Sequence, residues 1–95
     1  MKNEIKITVI NIISTLSSND EIAWANAFEA AGTALDSHYH DSLLSLKRFY
    51  GGIGSFNDVV LHNNGIPLIA ENNKLDALRH TLYEQLEKAM CEENL

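Results

Sequence analysis

The chain has 95 residues and a formal net charge of −6, with 45% hydrophobic and 21% charged residues. This length predicts a single domain spanning residues 1–95, and the hydrophobic content is too high for a disordered segment. Because nucleic acids and anionic membranes bind basic surfaces, the acidic balance argues against both as partners and permits a basic protein partner.

The first predicted element is a helix over residues 3–17. Its apolar residues recur at helical spacing and form one stripe, made of Ile5, Val9, Ile12, Ile13 and Leu16. A strand stays open as the alternative, because Ile5, Ile7 and Val9 alternate and β-branched residues favour strands. The run is too short to span a membrane and lacks the features of a signal peptide.

Two further helices are predicted next. Ser18 and Glu21 have the spacing of a capping box, which predicts the start of the second helix, and Gly32 within that helix indicates close packing or an early end. Residues 36–37 offer a cap for the third helix, whose apolar residues run from Tyr39 to Tyr50. The stripe of the second helix comprises Trp24, Ala27, Phe28, Ala31 and Leu35.

A glycine-rich segment, residues 50–58, follows the third helix and is named the glycine loop. It holds three of the five glycines of the chain, and glycine supplies the backbone freedom that ends a helix and forms a tight turn. The polar side chains that follow are expected to bond nearby backbone groups and hold the turn. The residues assigned to the architecture of the loop are Gly51, Gly52, Gly54 and Ser55.

A β-hairpin and a last helix complete the predicted elements. Asn64-Gly65 between two apolar runs is a strong hairpin signal, and a two-residue turn there sets Leu61 opposite Leu68 and Val60 opposite Ile69. Residues 71–73 are expected to cap the last helix, whose stripe comprises Leu75, Leu78, Leu82, Leu86 and Ala89. The predicted fold class is mainly α (α+β), a four-helix core with one β-hairpin between the third and fourth helices.

Catalytic and cofactor signatures are missing from the sequence. The glycine loop lacks the lysine and the strand-to-helix setting of a phosphate-binding loop, and Asn57 replaces the last glycine of a nucleophile elbow. We therefore predict no enzyme activity and no cofactor. His38 and Asp41, three residues apart, could share a metal ion, but the spacing of the four histidines is not that of a structural metal site, so none is predicted.

The single cysteine, Cys91, gives a further expectation. One thiol cannot build a disulfide framework, so a cytoplasmic location is the default. Cys91 is expected near the end of the last helix, beside two acidic residues at 92–93, which disfavour a reactive thiolate.

The glycine loop and the leucine-rich helix after it resemble a family of small bacterial proteins of uncharacterised function. The shared signature is G-G-x-G-S-x-N-D, which here reads Gly51 to Asp58, and Trp24 in the second helix also fits. The resemblance extends from Ile22 to Leu86, although its specific part is the loop. Some small acidic bacterial proteins of this kind look like immunity proteins, which bind and neutralise a toxin domain.

The sequence favours a protein-binding function over catalysis. The leading hypothesis is a cytoplasmic immunity-type protein that occludes a bacterial toxin domain, and the alternative is a structural or regulatory module that self-associates as a homodimer through a helical face. A basic toxin would be attracted by acidic side chains. The residues predicted to contact the partner are Phe56, Asn57 and Asp58 of the loop and the acidic residues Asp36, Asp41 and Glu84.

Overall fold

The computed structural model describes residues 1–95 as four helices joined by short connections. The helices are α1 (Lys2–Ser17), α2 (Ile22–Ser37), α3 (Tyr39–Arg48) and α4 (Ile69–Glu92). One turn of 3₁₀-helix, Phe56–Asp58, and a hairpin of strands β1 (His62–Asn63) and β2 (Ile66–Pro67) lie between α3 and α4. The predicted fold class, four helices with one hairpin between the third and the fourth, is confirmed.

The four helices enclose one core. Helix α1 packs against α2 and α4, and α3 packs against the same two helices, so each helix has two neighbours around the core. Residues 3–17 are helical, and the strand alternative is wrong, because Ile5, Val9, Ile12 and Leu16 are all buried on one side of α1. No helix combines the length and the apolar character needed to cross a membrane.

The connection between α1 and α2 ends the first helix and does not cap the second. Asp20 takes the left-handed conformation at φ 64°, and the Glu21 N–H donates to the Leu16 carbonyl at 3.0 Å, which is the Schellman pattern of a helix C-terminus. Glu21 makes no side-chain capping bond, so the predicted capping box with Ser18 is wrong. The cap predicted at residues 36–37 is also wrong, because α2 continues through Ser37.

The hairpin has the predicted turn and register. Asn64 and Gly65 both have positive φ, 53° and 78°, as a two-residue type I′ turn requires, and the Leu68 N–H donates to the Leu61 carbonyl at 3.0 Å. The predicted pair of Val60 and Ile69 is wrong, because α4 already begins at Ile69 and leaves no strand there. The ladder is therefore only two residues long on each side.

One side chain of α4 fixes the base of the hairpin. The Asn72 carboxamide accepts a bond from the Leu61 N–H at 2.7 Å and donates to the Leu61 carbonyl at 2.8 Å. Asn72 lies inside the first turn of α4, so the helix cap predicted at residues 71–73 is wrong. Its amide supplies the only partner of the Leu61 N–H and a second donor to the Leu61 carbonyl, which also accepts from the Leu68 N–H.

Candidate functional site: the glycine loop and its cleft

The glycine loop begins where α3 tightens and stops. The N–H groups of Phe49, Tyr50 and Gly51 each donate to the carbonyl three residues earlier, the spacing of a 3₁₀ turn. Gly52 and Gly54 then reverse the chain at φ 86° and 76°, a conformation that residues with a Cβ rarely adopt. A side chain at either glycine would be strained even though open space surrounds both.

Side chains of the loop hold its backbone in one arrangement. The Asp58 carboxylate accepts from the Gly54 N–H at 2.6 Å, and the Asn57 side-chain amide donates to the Tyr50 carbonyl at 3.2 Å. The Ser55 hydroxyl accepts from the Asn57 N–H at 3.3 Å and caps the 3₁₀ turn. Between these anchors the Ile53 side chain is fully exposed to solvent. The loop thus places one apolar side chain at the tip of a tied turn.

Phe56 does not point to solvent, which corrects its assignment to a partner surface. The side chain is completely buried, and its ring packs against Phe28 and Trp24 with centroids 4.6 and 5.7 Å apart. Because the ring fills the core between α2 and α4, Phe56 cannot contact a partner in the folded protein. It anchors the loop instead.

Arg79 is a buried cation beneath the loop. Its guanidinium donates to the carbonyls of Phe56 and Val59 at 2.5 and 3.1 Å, and it lies 5.2 Å from the centroid of the Phe56 ring. Asp76, one turn earlier on α4, is 2.5 Å from the guanidinium and balances its charge. The two hydrogen bonds and the contact with the Phe56 ring therefore fix the 3₁₀ turn to α4. The pairing of Arg79 with Asp76 follows the rule that buried charges are paired.

An open cleft of about 340 Å³ lies between the loop and α4. One wall carries aromatic rings, since Tyr50 and Tyr83 are in edge contact at 5.2 Å between centroids. The remaining lining comprises Asn57, Asp76, Arg79 and His80. Burial raises the pKa of the Tyr50 hydroxyl above its ordinary value of 10.0, and this hydroxyl donates to the Arg79 carbonyl at 2.8 Å. Tyr50 thus keeps its proton, and its hydroxyl already donates that proton to a hydrogen bond within the protein.

The predicted loop and acidic residues fall in three separate places. Asn57 lines the cleft, and Asp58 is exposed beside it. Glu84 lies near the cleft on α4, where its carboxylate is 2.5 Å from the His80 imidazole. Asp36 is far from the loop and pairs with Lys6 of α1 at 2.9 Å, and the hydrogen bond from Lys6 lowers the pKa of Asp36. Asp41 is exposed in the first turn of α3, beside α2.

The four histidines are spread over the molecule. His38 contacts Ser37, His40 contacts Glu93, and His62 contacts the Val60 carbonyl, whereas only His80 reaches the cleft. No group of three or more histidine, cysteine or acidic side chains is placed to hold a metal ion.

Several members of the site, among them Arg79, Tyr83 and Ile53, were not identified from the sequence. Arg79 carries the one available signal, because it stands four residues after Leu75 on the apolar side of α4, where a charged residue needs a buried partner. Tyr83 stands between Leu82 and Glu84, and nothing in the sequence distinguishes it from any other exposed aromatic residue. Ile53 is exposed only because of the loop conformation, which local spacing does not reveal.

Comparison with known protein families gives a match that covers more than half of the chain. No curated protein and no solved structure matches the chain. Residues 17–69 match a family described as a domain of unknown function, DUF6966. The matched range is more than half of the chain and contains α2, α3, the glycine loop and the hairpin. The chain therefore belongs to the DUF6966 family.

Proposed function

We propose that this protein is a non-catalytic binding module of the immunity type, which neutralises a bacterial toxin domain by covering it. The observation that carries the proposal is the exposed Ile53 at the tip of a loop held by the side chains of Asn57 and Asp58. A loop that is already ordered loses little conformational entropy on binding. An apolar anchor with a polar rim is the usual composition of an interface centre.

The cleft between the glycine loop and α4 suits a basic side chain of a partner. Small-molecule pockets are mostly apolar, whereas this cleft has a polar lining and opens to solvent. Asp76 and Glu84 expose carboxylate groups at its border, and the rings of Tyr50 and Tyr83 form its wall. A lysine or arginine inserted there would meet the Glu84 carboxylate and aromatic rings, two groups that attract cations, whereas Asp76 already pairs with Arg79.

The acidic balance of the whole chain supports the same type of partner. With a net charge of −6, the protein attracts a basic surface over a distance of about one Debye length. Binding would then be fast at low ionic strength and slower at high ionic strength. The immunity assignment itself rests on this charge, the small size and the resemblance of the loop.

The cleft also brings the glycine loop close to a histidine, His80, so a catalytic role has to be weighed. His80 and Glu84 form a contact of 2.5 Å, but both side chains are mostly exposed to water. General acid and base groups in enzymes are set apart by burial and by distinct surroundings. The other polar groups of the cleft, Tyr50 and Asp76, are bound to the Arg79 carbonyl and guanidinium. We therefore propose binding and no catalysis.

A growth assay tests the proposal. Each product of the reading frames beside the gene is produced in a laboratory bacterium under a repressible promoter, with and without this chain. We expect one product to arrest growth and the chain to restore it. Asp58→Ala, which removes the bond to the Gly54 N–H, should weaken the protection, whereas Glu92→Ala at the exposed end of α4 should not. The proposal fails if no neighbouring product is toxic, or if its toxicity is unchanged by the chain.

A further inference from the structure

A second surface lies on the opposite pair of helices and is independent of the loop. It is a groove of about 460 Å³ between α1 and α2, and we name it the α1–α2 groove. Its lining includes Val9, Ile10 and Ile13 of α1 and Gly32 of α2. Its apolar rim continues onto Ile7, because residues three apart are neighbours on a helix surface.

The groove exists because α2 has no side chain at position 32. A Cβ built on Gly32 would lie 3.1 Å from Cγ1 of Val9, closer than nearly all real contacts, so the two helices approach each other through this glycine. No other element of the fold covers the groove, and Ile7 and Ile10 are therefore 60% and 61% exposed. Two large β-branched side chains side by side on a small protein form an apolar patch of the kind that marks an interaction site.

The two ends of the groove carry opposite charge. Lys2 and Lys6 stand at one end with Asp36, which they both contact, so that end has an excess of one positive charge. Because α2 runs antiparallel to α1, Glu29 lies at the other end, beside Ile13. Glu29 takes part in no ion pair within the chain. Lys6 and Ile13 are about 10 Å apart along the helix, at 1.5 Å per residue.

We propose that the α1–α2 groove binds the same groove of a second copy in an antiparallel two-fold dimer. A two-fold axis through the middle of the groove reverses one copy against the other, so the positive end of each copy meets Glu29 of its partner. The exposed Ile10 side chains near the middle then cover the shallow floor over Gly32. A second copy of the chain therefore covers the apolar centre and pairs the charges at both ends of the groove.

A charge-exchange experiment tests the arrangement. Lys6→Glu and Glu29→Lys each place like charges at both ends of the interface, so each variant alone should be mostly monomeric. Mixing the two variants restores a Lys–Glu pair at both ends, and native mass spectrometry should then show the mixed dimer in excess over either homodimer. The same measurement gives the oligomeric state of the wild-type protein, which should form dimers at concentrations of about 0.1 mM.

Substitution of the apolar centre provides a second measurement. Ile10→Glu should weaken the dimer at least about tenfold in sedimentation equilibrium, because it buries a charge at the centre of the interface. Ile66→Glu in the hairpin changes an isoleucine of similar exposure, 68%, outside the groove and should leave the dimer intact. Circular dichroism melting shows whether both variants remain folded.

Three results would overturn the dimer. The first is a wild-type protein that stays monomeric at about 0.1 mM, including the case in which the groove binds only another protein. The second is a wild-type dimer that Ile10→Glu leaves unchanged. The third is a mixture of Lys6→Glu and Glu29→Lys that associates no better than the separate variants.

Discussion

At the scale of single residues, Arg79 and Tyr50 determine how the glycine loop is attached. The Arg79 side chain donates to the two carbonyls at the ends of the 3₁₀ turn, and its own carbonyl accepts from the Tyr50 hydroxyl at 2.8 Å. The two residues therefore connect the end of α3, the loop and α4. Their contacts are to backbone atoms, which explains how a loop of exposed glycines can stay ordered.

Tyr50→Phe tests how the loop is attached to α4. The variant loses the hydrogen bond to the Arg79 carbonyl and should lower the free energy of unfolding by about 0.5–1.5 kcal/mol at neutral pH. Urea titrations measure this change. Tyr39→Phe is the matched control, because Tyr39 forms no comparable bond and its loss should change the neutral-pH value little.

Tyr50→Phe should also change the alkaline stability profile. Burial raises the pKa of Tyr50 above 10.0, so the unfolded chain loses this proton first as the pH rises. The stabilisation is therefore complete below about pH 10 and is lost above it. The wild-type unfolding free energy should fall more steeply than that of Tyr50→Phe between about pH 9 and pH 11. Identical slopes would show that Tyr50 ionises freely in the folded protein.

At the scale of elements, the hairpin depends on α4 more than on its own ladder. Strands β1 and β2 pair over two residues each, and a two-stranded hairpin of this size is marginal in water. Asn72 supplies both a donor and an acceptor to the buried Leu61. The Leu61 carbonyl also accepts from the Leu68 N–H, but the Leu61 N–H bonds only to Asn72, so the helix side chain completes the hydrogen bonding at the base of the hairpin.

Asn72→Ala tests this account of the hairpin. Removing the carboxamide leaves the Leu61 N–H without a partner, while the Leu61 carbonyl keeps the bond from the Leu68 N–H, and we expect a loss of about 1–3 kcal/mol in the free energy of unfolding. Asn73→Ala is the matched control, since Asn73 is exposed and forms no side-chain bond, and it should change stability by less than about 0.5 kcal/mol. Equal effects of the two variants would contradict a specific role for Asn72.

Element boundaries show what local sequence signals can and cannot predict. The Asn64-Gly65 turn was predictable, because its two positive φ angles are a local requirement. The capping box was not formed, because the bond from Glu21 to the Leu16 carbonyl ends α1 and uses the same residues. Where two local motifs compete for one segment, the tertiary packing of the helices on either side decides between them.

The same limit applies to the candidate site. Asn57 and Asp58 were identified from the sequence because their side chains bond neighbouring backbone groups. Phe56 was misassigned, because an aromatic residue within a polar loop gives no sign that the loop folds back onto the core. The pairing of Asp36 with Lys6 joins residues 30 positions apart. It depends on how α1 and α2 pack, and local spacing rules do not predict that packing.

At the scale of the whole molecule, charge determines how the protein responds to acid. Hydrogen bonds from lysine side chains lower the pKa of Asp36 and of Glu87, whose partners are Lys6 and Lys47. Each pair joins two different helices, α1 with α2 and α3 with α4. The unfolded chain has no such partners and binds protons more readily as the pH falls, so acid destabilises the folded state.

The double variant Asp36→Asn with Glu87→Gln tests this contribution. The stabilisation is present above the ordinary pKa values of 3.8 and 4.5, and it is lost as the pH falls below them. We expect the variant to melt at a lower temperature than the wild type at pH 7 and to lose less on acidification to about pH 3. Melting curves of both proteins measure the difference. An equal loss in both would contradict a role for these pairs in acid stability.

The central claim of this account is that the tip of the glycine loop is the centre of a protein interface. Calorimetry with the neighbouring gene product that the chain neutralises tests it most directly, with Ile53→Ser and Ile66→Ser compared side by side. Both replace exposed isoleucines, but only Ile53 lies on the loop, whereas Ile66 lies on strand β2. We predict at least a tenfold weaker Kd for Ile53→Ser, equivalent to about 1.4 kcal/mol, and less than about a threefold change for Ile66→Ser. Unchanged binding by Ile53→Ser, or a larger loss with Ile66→Ser, would contradict the claim.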